Sequence, residues 1–323
     1  MLAQTAKILN HPRHDDEPIE MRHLSAGLLA QPARVSAKYL YDALGSKLFE
    51  AICCLPEYYP TRTEAAIFEE HLDEIARTVG RGSTLIDLGA GNCAKAARLF
   101  PVLRPGQYVA IDISGEFLHD AVSQLRLRFP QIDMLELQLD FSGSLNLPLS
   151  VRRERRLFFY PGSSIGNFTP TQALQFLRRL RHECQTHANG GLLIGVDLVK
   201  NTRLLDAAYN DAIGVTAAFN LNLLQHVNRL LDADFDVREW LHRSFFDVTQ
   251  SRIEMHLVAR HAVAVNWRGG QRLFAPGESI HTENSYKYTR EGFLNLLAEA
   301  GFGKVRTWSD ASGWFLLCHA AAE

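Results

Sequence analysis

Between Ser83 and Val196 short apolar runs alternate with amphipathic stretches, and no other feature of this sequence restricts the fold as tightly. The runs are TLIDLG, YVAIDIS, MLELQLD, LFFYPG and GLLIGVDL. The spacing of apolar residues among them predicts helices over Cys93–Leu103, Glu116–Arg128 and Thr171–Cys184. This alternation predicts a parallel sheet with helices on both faces. Toward the C-terminus a predicted helix, Thr289–Ala300, precedes strands Lys304–Trp308 and Trp314–His319, joined by the turn-rich SDASG. Such a late hairpin puts an antiparallel strand into an otherwise parallel sheet.

The remaining chain does not alternate. The segment before Lys38 contains Pro12, Pro18 and Pro32 and shows no strong periodicity, so it is expected to wrap a surface without forming a core element. A helix is expected over Tyr39–Cys54, then the loop LPEYYP, then a capping box, Thr61-Arg62-Thr63-Glu64, that starts a helix running through Glu69 and Glu74. After the alternating block come one long helical stretch, Thr202–Leu231, and strand-like runs at Asp236–Phe246, Arg252–Val265 and Leu273–His281. We expect an inserted domain of residues 1–64 and 201–286, set into a sheet domain of residues 65–200 and 287–323. The length, 323 residues, accommodates two domains of about 100–200 residues each.

Charge and cysteine usage exclude several classes. The net charge is −2 with the charges interspersed, which disfavours a nucleic-acid partner and, with no heptad pattern, suggests a monomer. Five cysteines without a CxxC pair read as reduced thiols. Asp15, Asp16 and Glu17 argue against a signal peptide, and no apolar run is long enough to cross a bilayer, so the expected location is cytoplasmic and off the membrane. The histidines, His11 and His14 among them, follow no HExxH pattern, and no metal ligand is assigned. Ser163 and Ser164 lack the GxSxG elbow of a hydrolase.

Successive strand ends in this block carry polar tips. Asp87-Leu88-Gly89-Ala90-Gly91-Asn92-Cys93 passes from a strand into a helix, where glycines admit a close ligand and the helix N-terminus favours acceptors. Asp112 ends the next strand, where a carboxylate can accept from both hydroxyls of a ribose. Ala94 replaces the third glycine of a dinucleotide fingerprint, which disfavours a nicotinamide cofactor. Asp140-Phe141 closes the third strand, suiting an adenine amino group beside an aromatic wall, and the loop Gly162–Asn167 closes the fourth before Pro170 opens a helix. Together these ends predict a crevice of nucleoside size. Taken singly, a GxG turn is as often a tight strand-to-helix turn, each of the tyrosines 39, 41, 58 and 59 is more often core packing, and Glu283 in Thr282-Glu283-Asn284-Ser285 is usually solvated surface.

The strings KYLYDALGSKLFEAICCLPEYYPTRTEA, LIDLGAGNCAK, PGSSIGNFTP, DLVKNTRLLDAAYNDAIGVTAAFNLNLL, VNRLLDADFD, RIEMHLVAR and ESIHTENSYKY resemble the ergothioneine-pathway L-histidine Nα-methyltransferases. The likeness runs from about Lys38 to the C-terminus. It implies a Rossmann-like class I methyltransferase sheet with an inserted α+β substrate-binding domain, and S-adenosylmethionine as cofactor. Gly89, Lys95, Asp112, Asp140 and Phe141 look like its cofactor contacts. Tyr58, Asn167 and Tyr209 look like the groups that hold an amino acid's carboxylate and amine, with Asn167 orienting the amine and Tyr41 close to the reacting nitrogen. Glu283 and Ser285 fall where the family grips imidazole, and Met255 where it lines the ring pocket. The implied reaction is trimethylation of the α-amine of L-histidine to hercynine. An N-methyltransferase for another amino acid or aromatic amine, such as a tryptophan derivative, is the alternative.

Overall fold

Thr84–Leu88 (β1) is buried at every position and is an interior strand of a seven-stranded sheet. The other strands are Gln107–Asp112 (β2), Asp133–Gln138 (β3), Arg156–Tyr160 (β4), Gly191–Asp197 (β5), Gly303–Ser309 (β6) and Phe315–Ala321 (β7). Their spatial order is β3-β2-β1-β4-β5-β7-β6. The first five run parallel, whereas β7 pairs antiparallel with both β5 and β6. The late hairpin therefore inserts the antiparallel strand that the sequence predicts, and the architecture is that of a class I methyltransferase sheet.

Alternation along the strands sends successive side chains to opposite faces. Ile86, Leu88, Phe158 and Tyr160 pack with Phe176, Leu177 and Leu180 of helix Pro170–Gln185. Leu85, Tyr108 and Phe159 pack on the other face with Ile67 and Phe68 of helix Tyr59–Val79 and with Leu118 and Val122 of helix Gly115–Arg128. Both faces are thus covered, so the strands read as continuous apolar runs. Each large side chain buried here contributes about 1.5–3 kcal/mol.

The computed structural model describes residues 8–10, 19–185 and 190–322, so His11 and His14 lie outside the described residues. It divides into a sheet unit, Tyr59–Lys200 with Ser285–Glu323, and an insertion unit, Met1–Tyr58 with Asn201–Asn284. The insertion unit holds a four-stranded sheet in the order Ala33–Arg34, Ser279–Tyr286, Arg252–Ala259, Trp240–Asp247, the second of which runs on into the sheet unit. A three-stranded sheet orders Ile8–Asn10, Gly270–Phe274 and Val263–Trp267. Among the described residues no helix is long and apolar enough to cross a membrane.

Several elements differ from the sequence expectation for local reasons. Ile19–Leu29 is a helix, because Pro18 and Pro32 flank it and none lies within it. The next predicted helix is a 3-10 turn, Ala37–Leu40, followed by helix Ala43–Cys53, whose start is capped by Asp42 accepting from the Gly45 N–H at 2.7 Å. Helix Tyr59–Val79 starts ahead of the supposed capping box, with Pro60 in its first turn, where a missing N–H costs nothing. Cys93–Leu103 forms two short helices, Ala94–Ala97 and Phe100–Leu103, the second with Pro101 in its first turn. The stretch Thr202–Leu231 breaks into Thr202–Ala208 and Val215–Leu231, where the Asp211 carboxylate accepts from the N–H groups of Val215 and Thr216 at 2.9 and 2.7 Å. The run Arg252–Val265 is two strands, separated by a bend at Arg260 and His261.

Candidate active site

Strand order reverses beside β1, whose neighbours are β2 on one side and β4 on the other. The turns that follow β1 and β4 therefore border a crevice at the carboxyl ends of the strands. Gly89 makes the first turn possible: it sits at φ +71, and its N–H and that of Ala90 both donate to the Ile111 carbonyl, at 2.9 and 3.0 Å. A Cβ built at Gly89 would lie 4.0 Å from the Phe141 ring, so this turn and that aromatic wall face each other.

Asp112, at the end of β2, accepts the Gly91 N–H on Oδ2 at 2.9 Å and the Ser114 N–H on Oδ1 at 3.0 Å. Each carboxylate oxygen has a second lone-pair site, so the oriented carboxylate can still take two hydroxyls. Asp140 accepts the Ser142 N–H at 3.0 Å and is half-buried beyond the end of β3. A glycine turn, a fixed carboxylate and an aromatic wall fit the ribose and adenine of S-adenosylmethionine. Of the five residues assigned to the cofactor, Gly89, Asp112 and Phe141 thus border this crevice.

Lys95 is engaged differently. Its ammonium pairs at 2.6 Å with Oε2 of Glu64, while Oε1 of the same carboxylate accepts the Gly162 N–H at 2.8 Å. Glu64, only 1% exposed, thereby joins the turn after β1 to the turn after β4. Asp87 is buried beneath them and receives the Tyr108 hydroxyl at 2.8 Å. Burial pushes the Asp87 carboxyl up to about 7, against the opposing pull of that hydrogen bond and of Lys95. Burial likewise pushes the Cys93 thiol up to about 12, so Cys93 packs and does not react.

In the loop after β4, Ser163 lies in the left-handed region, φ 60, which is uncommon for a side-chain-bearing residue. Its hydroxyl accepts the Asp197 N–H at 2.9 Å and holds that conformation. A 3-10 turn, Ser164–Asn167, follows and ends on the half-buried Asn167. A Cβ at Gly166 would come within 2.8 Å of the Tyr286 carbonyl and 3.5 Å of Ser285 Oγ. Glycine is therefore required there, and the Asn167 turn lies directly against Ser285.

In the insertion unit, Tyr41 meets Phe49 and Phe219 edge to face at 5.6 and 5.5 Å between ring centroids. Tyr58 meets Phe49 and Tyr209, each at 6.1 Å. The Tyr58 phenol lies well above its ordinary range, first because it is buried and then because Tyr209, Cys53, Tyr41 and Glu283 surround it. Four assigned residues, Tyr41, Tyr58, Tyr209 and Glu283, thus belong to one cluster. The Tyr209 carbonyl is fixed by His242 Nε2 and by Ser244 Oγ, each at 2.9 Å. Met255 is 1% exposed, and its carbonyl accepts the Thr282 hydroxyl at 3.0 Å, one residue before Glu283.

Sequence reasoning misses Glu64, Tyr59, Asp197 and Lys287. Asp197 is fully buried at the end of β5 and receives the Tyr59 hydroxyl at 2.6 Å, Lys200 at 2.5 Å and Lys287 at 2.9 Å. Burial lowers the Lys200 pKa, and the Asp197 charge opposes that shift. The available signal was an acidic residue closing the apolar run GLLIGVDL.

A family model described as a SAM-dependent, histidine-specific methyltransferase matches residues 20–322. The chain is 40% identical over 300 residues to histidine N-alpha-methyltransferase of Mycolicibacterium smegmatis, covering 91% of this chain and 92% of that protein. It is 36% identical over 322 residues to histidine N-alpha-methyltransferase of Mycobacterium tuberculosis, covering 97% and 98%. Ergothioneine biosynthesis protein 1 of Neurospora crassa is 28% identical over 300 residues, 86% of this chain and 32% of that longer protein. The chain belongs to the family of histidine-specific, S-adenosylmethionine-dependent methyltransferases.

Proposed function

We propose that this protein transfers methyl groups from S-adenosylmethionine to the α-amino group of L-histidine, three in succession, to give hercynine for ergothioneine biosynthesis. The observation that carries this reading is likeness over nearly the whole chain to two relatives named histidine N-alpha-methyltransferase, covering 91% and 97% of it. Gly89, Lys95, Asp112, Asp140 and Phe141 are the proposed cofactor residues. Tyr58, Asn167 and Tyr209 are proposed to hold the amino acid's carboxylate and amine, Tyr41 to stand by the reacting nitrogen, and Met255, Glu283 and Ser285 to receive the ring. The domain roles follow: residues 1–64 and 201–286 for substrate, 65–200 and 287–323 for cofactor. We take the enzyme to be a cytoplasmic monomer without a nucleic-acid partner.

When bound, S-adenosylmethionine supplies an electrophilic methyl group on a sulfonium. The protein's task is then to present the nitrogen lone pair in line and to exclude water. Alignment of this kind contributes about 7–11 kcal/mol to lowering a barrier. Each round replaces an N–H by N–CH3 and releases one proton. Neutral amide and phenol groups suit this nitrogen, because an adjacent carboxylate would favour the ammonium, which has no lone pair. Tyr58 fits that need, since burial keeps its phenol protonated and makes it a hydrogen-bonding group and not a base.

Glu283 takes the opposite role at the other end of the substrate, where a carboxylate rewards an imidazole N–H without affecting the amine. Replacing it tests the substrate assignment. Glu283→Ala is expected to lower kcat/KM for histidine about 10–150-fold, the equivalent of about 1.5–3 kcal/mol for a charge-assisted hydrogen bond. Undiminished turnover of histidine would favour another amine as the substrate.

A further inference from the structure

Strand Arg252–Ala259 alternates between half-buried and buried residues, so Glu254 and His256 lie on one face and Met255 on the other. Its neighbour in the sheet, Ser279–Tyr286, carries His281. Among the described residues, a carboxylate oxygen of Glu254 and one ring nitrogen each from His256 and His281 lie within 4.8 Å of one another. All three residues belong to the insertion unit, and all three are half-buried. Two neighbouring strands supply them, which is why no spacing motif of histidines marks the group in the sequence.

The surrounding side chains fix these groups. Arg252 Nε donates to Oε1 of Glu254 at 2.9 Å, and Oε2 of the same carboxylate meets His256 Nε2 at 2.8 Å. A carboxylate only accepts, so that contact requires a hydrogen on Nε2. A divalent cation can take the hydrogen's place and bind both atoms, releasing one proton. The His256 ring stacks on Phe245, with centroids 5.5 Å apart and planes 9° from parallel, and its Nδ1 faces Ser279 Oγ at 3.4 Å. His281 Nε2 donates to Asn284 Oδ1 at 2.9 Å, which holds the second ring. Hydrogen-bonding partners of this kind orient metal-binding imidazoles.

We propose that Glu254, His256 and His281 form a binding site for a divalent cation of the zinc class, which clips two neighbouring strands of the insertion unit together on the face opposite Met255. Two imidazoles and one carboxylate suit zinc, whereas magnesium and calcium take oxygen ligands. Tetrahedral bonds of about 2.0–2.1 Å set ligand atoms about 3.3 Å apart, so the widest spacing has to close by about 1.5 Å at most. None of the three residues is assigned to substrate or cofactor.

The test is calorimetric titration of the full chain, free of any histidine tag and stripped with a chelator, with zinc chloride. Histidine and S-adenosylmethionine are left out, and magnesium chloride is the control. One zinc per chain is expected, with a Kd of about 1–10 μM because the Arg252 guanidinium opposes the incoming charge, and no heat with magnesium. His256→Ala and His281→Ala are each expected to weaken zinc about 100-fold, and Asn284→Ala, which only frees the His281 ring, about tenfold. Zinc is also expected to raise the melting temperature of wild type and to leave that of His281→Ala unchanged.

A second readout needs no variant to fold. Cobalt(II) added to wild type is expected to give the strong visible absorption of a four- or five-coordinate ion, bleached by one equivalent of zinc. Absence of zinc binding to wild type at 100 μM, undiminished binding in both histidine variants, or a cobalt spectrum as weak as that of the aqueous ion would each overturn the proposal and reduce Glu254, His256 and His281 to a hydrogen-bonded surface cluster.

Discussion

Glu64 accepts the Gly162 N–H at 2.8 Å with one carboxylate oxygen while the other holds Lys95 at 2.6 Å. A residue on the helix before β1 thus sets the distance between the two turns that border the crevice. Glu64→Gln keeps an acceptor for Gly162 and loses the ion pair, so it is expected to fold and to bind S-adenosylmethionine about tenfold more weakly. Glu64→Ala also orphans the Gly162 N–H and is expected to lose about 1–3 kcal/mol of stability. Calorimetric titration with the cofactor and thermal melts separate the two effects; unchanged affinity in Glu64→Gln would mean that Lys95 does not shape the cofactor site.

Asp112 is oriented by the N–H groups of Gly91 and Ser114. Asp112→Ala is expected to weaken cofactor binding about 10–150-fold, the loss of a charge-assisted hydrogen bond. At saturating cofactor kcat should recover most of its wild-type value, as the proposed role of the carboxylate is to hold the ribose and not the methyl. A large fall in kcat with unchanged affinity would contradict the ribose assignment.

Asp87 gives the protein a stability that depends on pH. Its folded pKa, about 7, lies above the ordinary carboxylate value, so its contribution is full below about 4 and is lost as pH rises through about 7. Asp87→Asn removes that titration and keeps an acceptor for Tyr108. The variant is therefore expected to gain on wild type between pH 5 and pH 8, by an amount on the order of a few kcal/mol. Melting both proteins across that range is the check, and parallel curves would contradict it.

The Tyr58 hydroxyl sits within the cluster of Tyr41, Tyr209 and Glu283. Tyr58→Phe keeps the edge-to-face packing on Phe49 and Tyr209 and deletes one polar atom. Initial-rate kinetics should show KM for histidine raised about tenfold with little change in melting temperature. An unaltered KM would remove Tyr58 from the substrate-holding set.

The sheet was legible because its strands are buried on both faces and carry unbroken apolar runs, and Gly89, Asp112 and Phe141 were legible because they sit at the ends of those runs. What escaped was set by chain reversals and by distant partners. The helix that the TRTE pattern predicts starts earlier, at Tyr59 with Pro60 in its first turn, which turns Glu64 from a cap into a buried link. Lys287 and Asp197 lie 90 residues apart in sequence but 2.9 Å apart in space, a pairing that no local pattern encodes. The tyrosines were visible only one by one, and their clustering depends on how Tyr41, Tyr58 and Tyr209 come together in the insertion unit.

The most direct test is mass spectrometry of L-histidine incubated with the purified protein and S-adenosylmethionine, beside tryptophan and a control without cofactor. The account predicts histidine converted to its trimethylated α-amine product, with tryptophan unchanged. Unmodified histidine alongside a methylated tryptophan, or another methylated amine, would keep the fold and the cofactor and contradict the assignment of Glu283 and Ser285 to an imidazole.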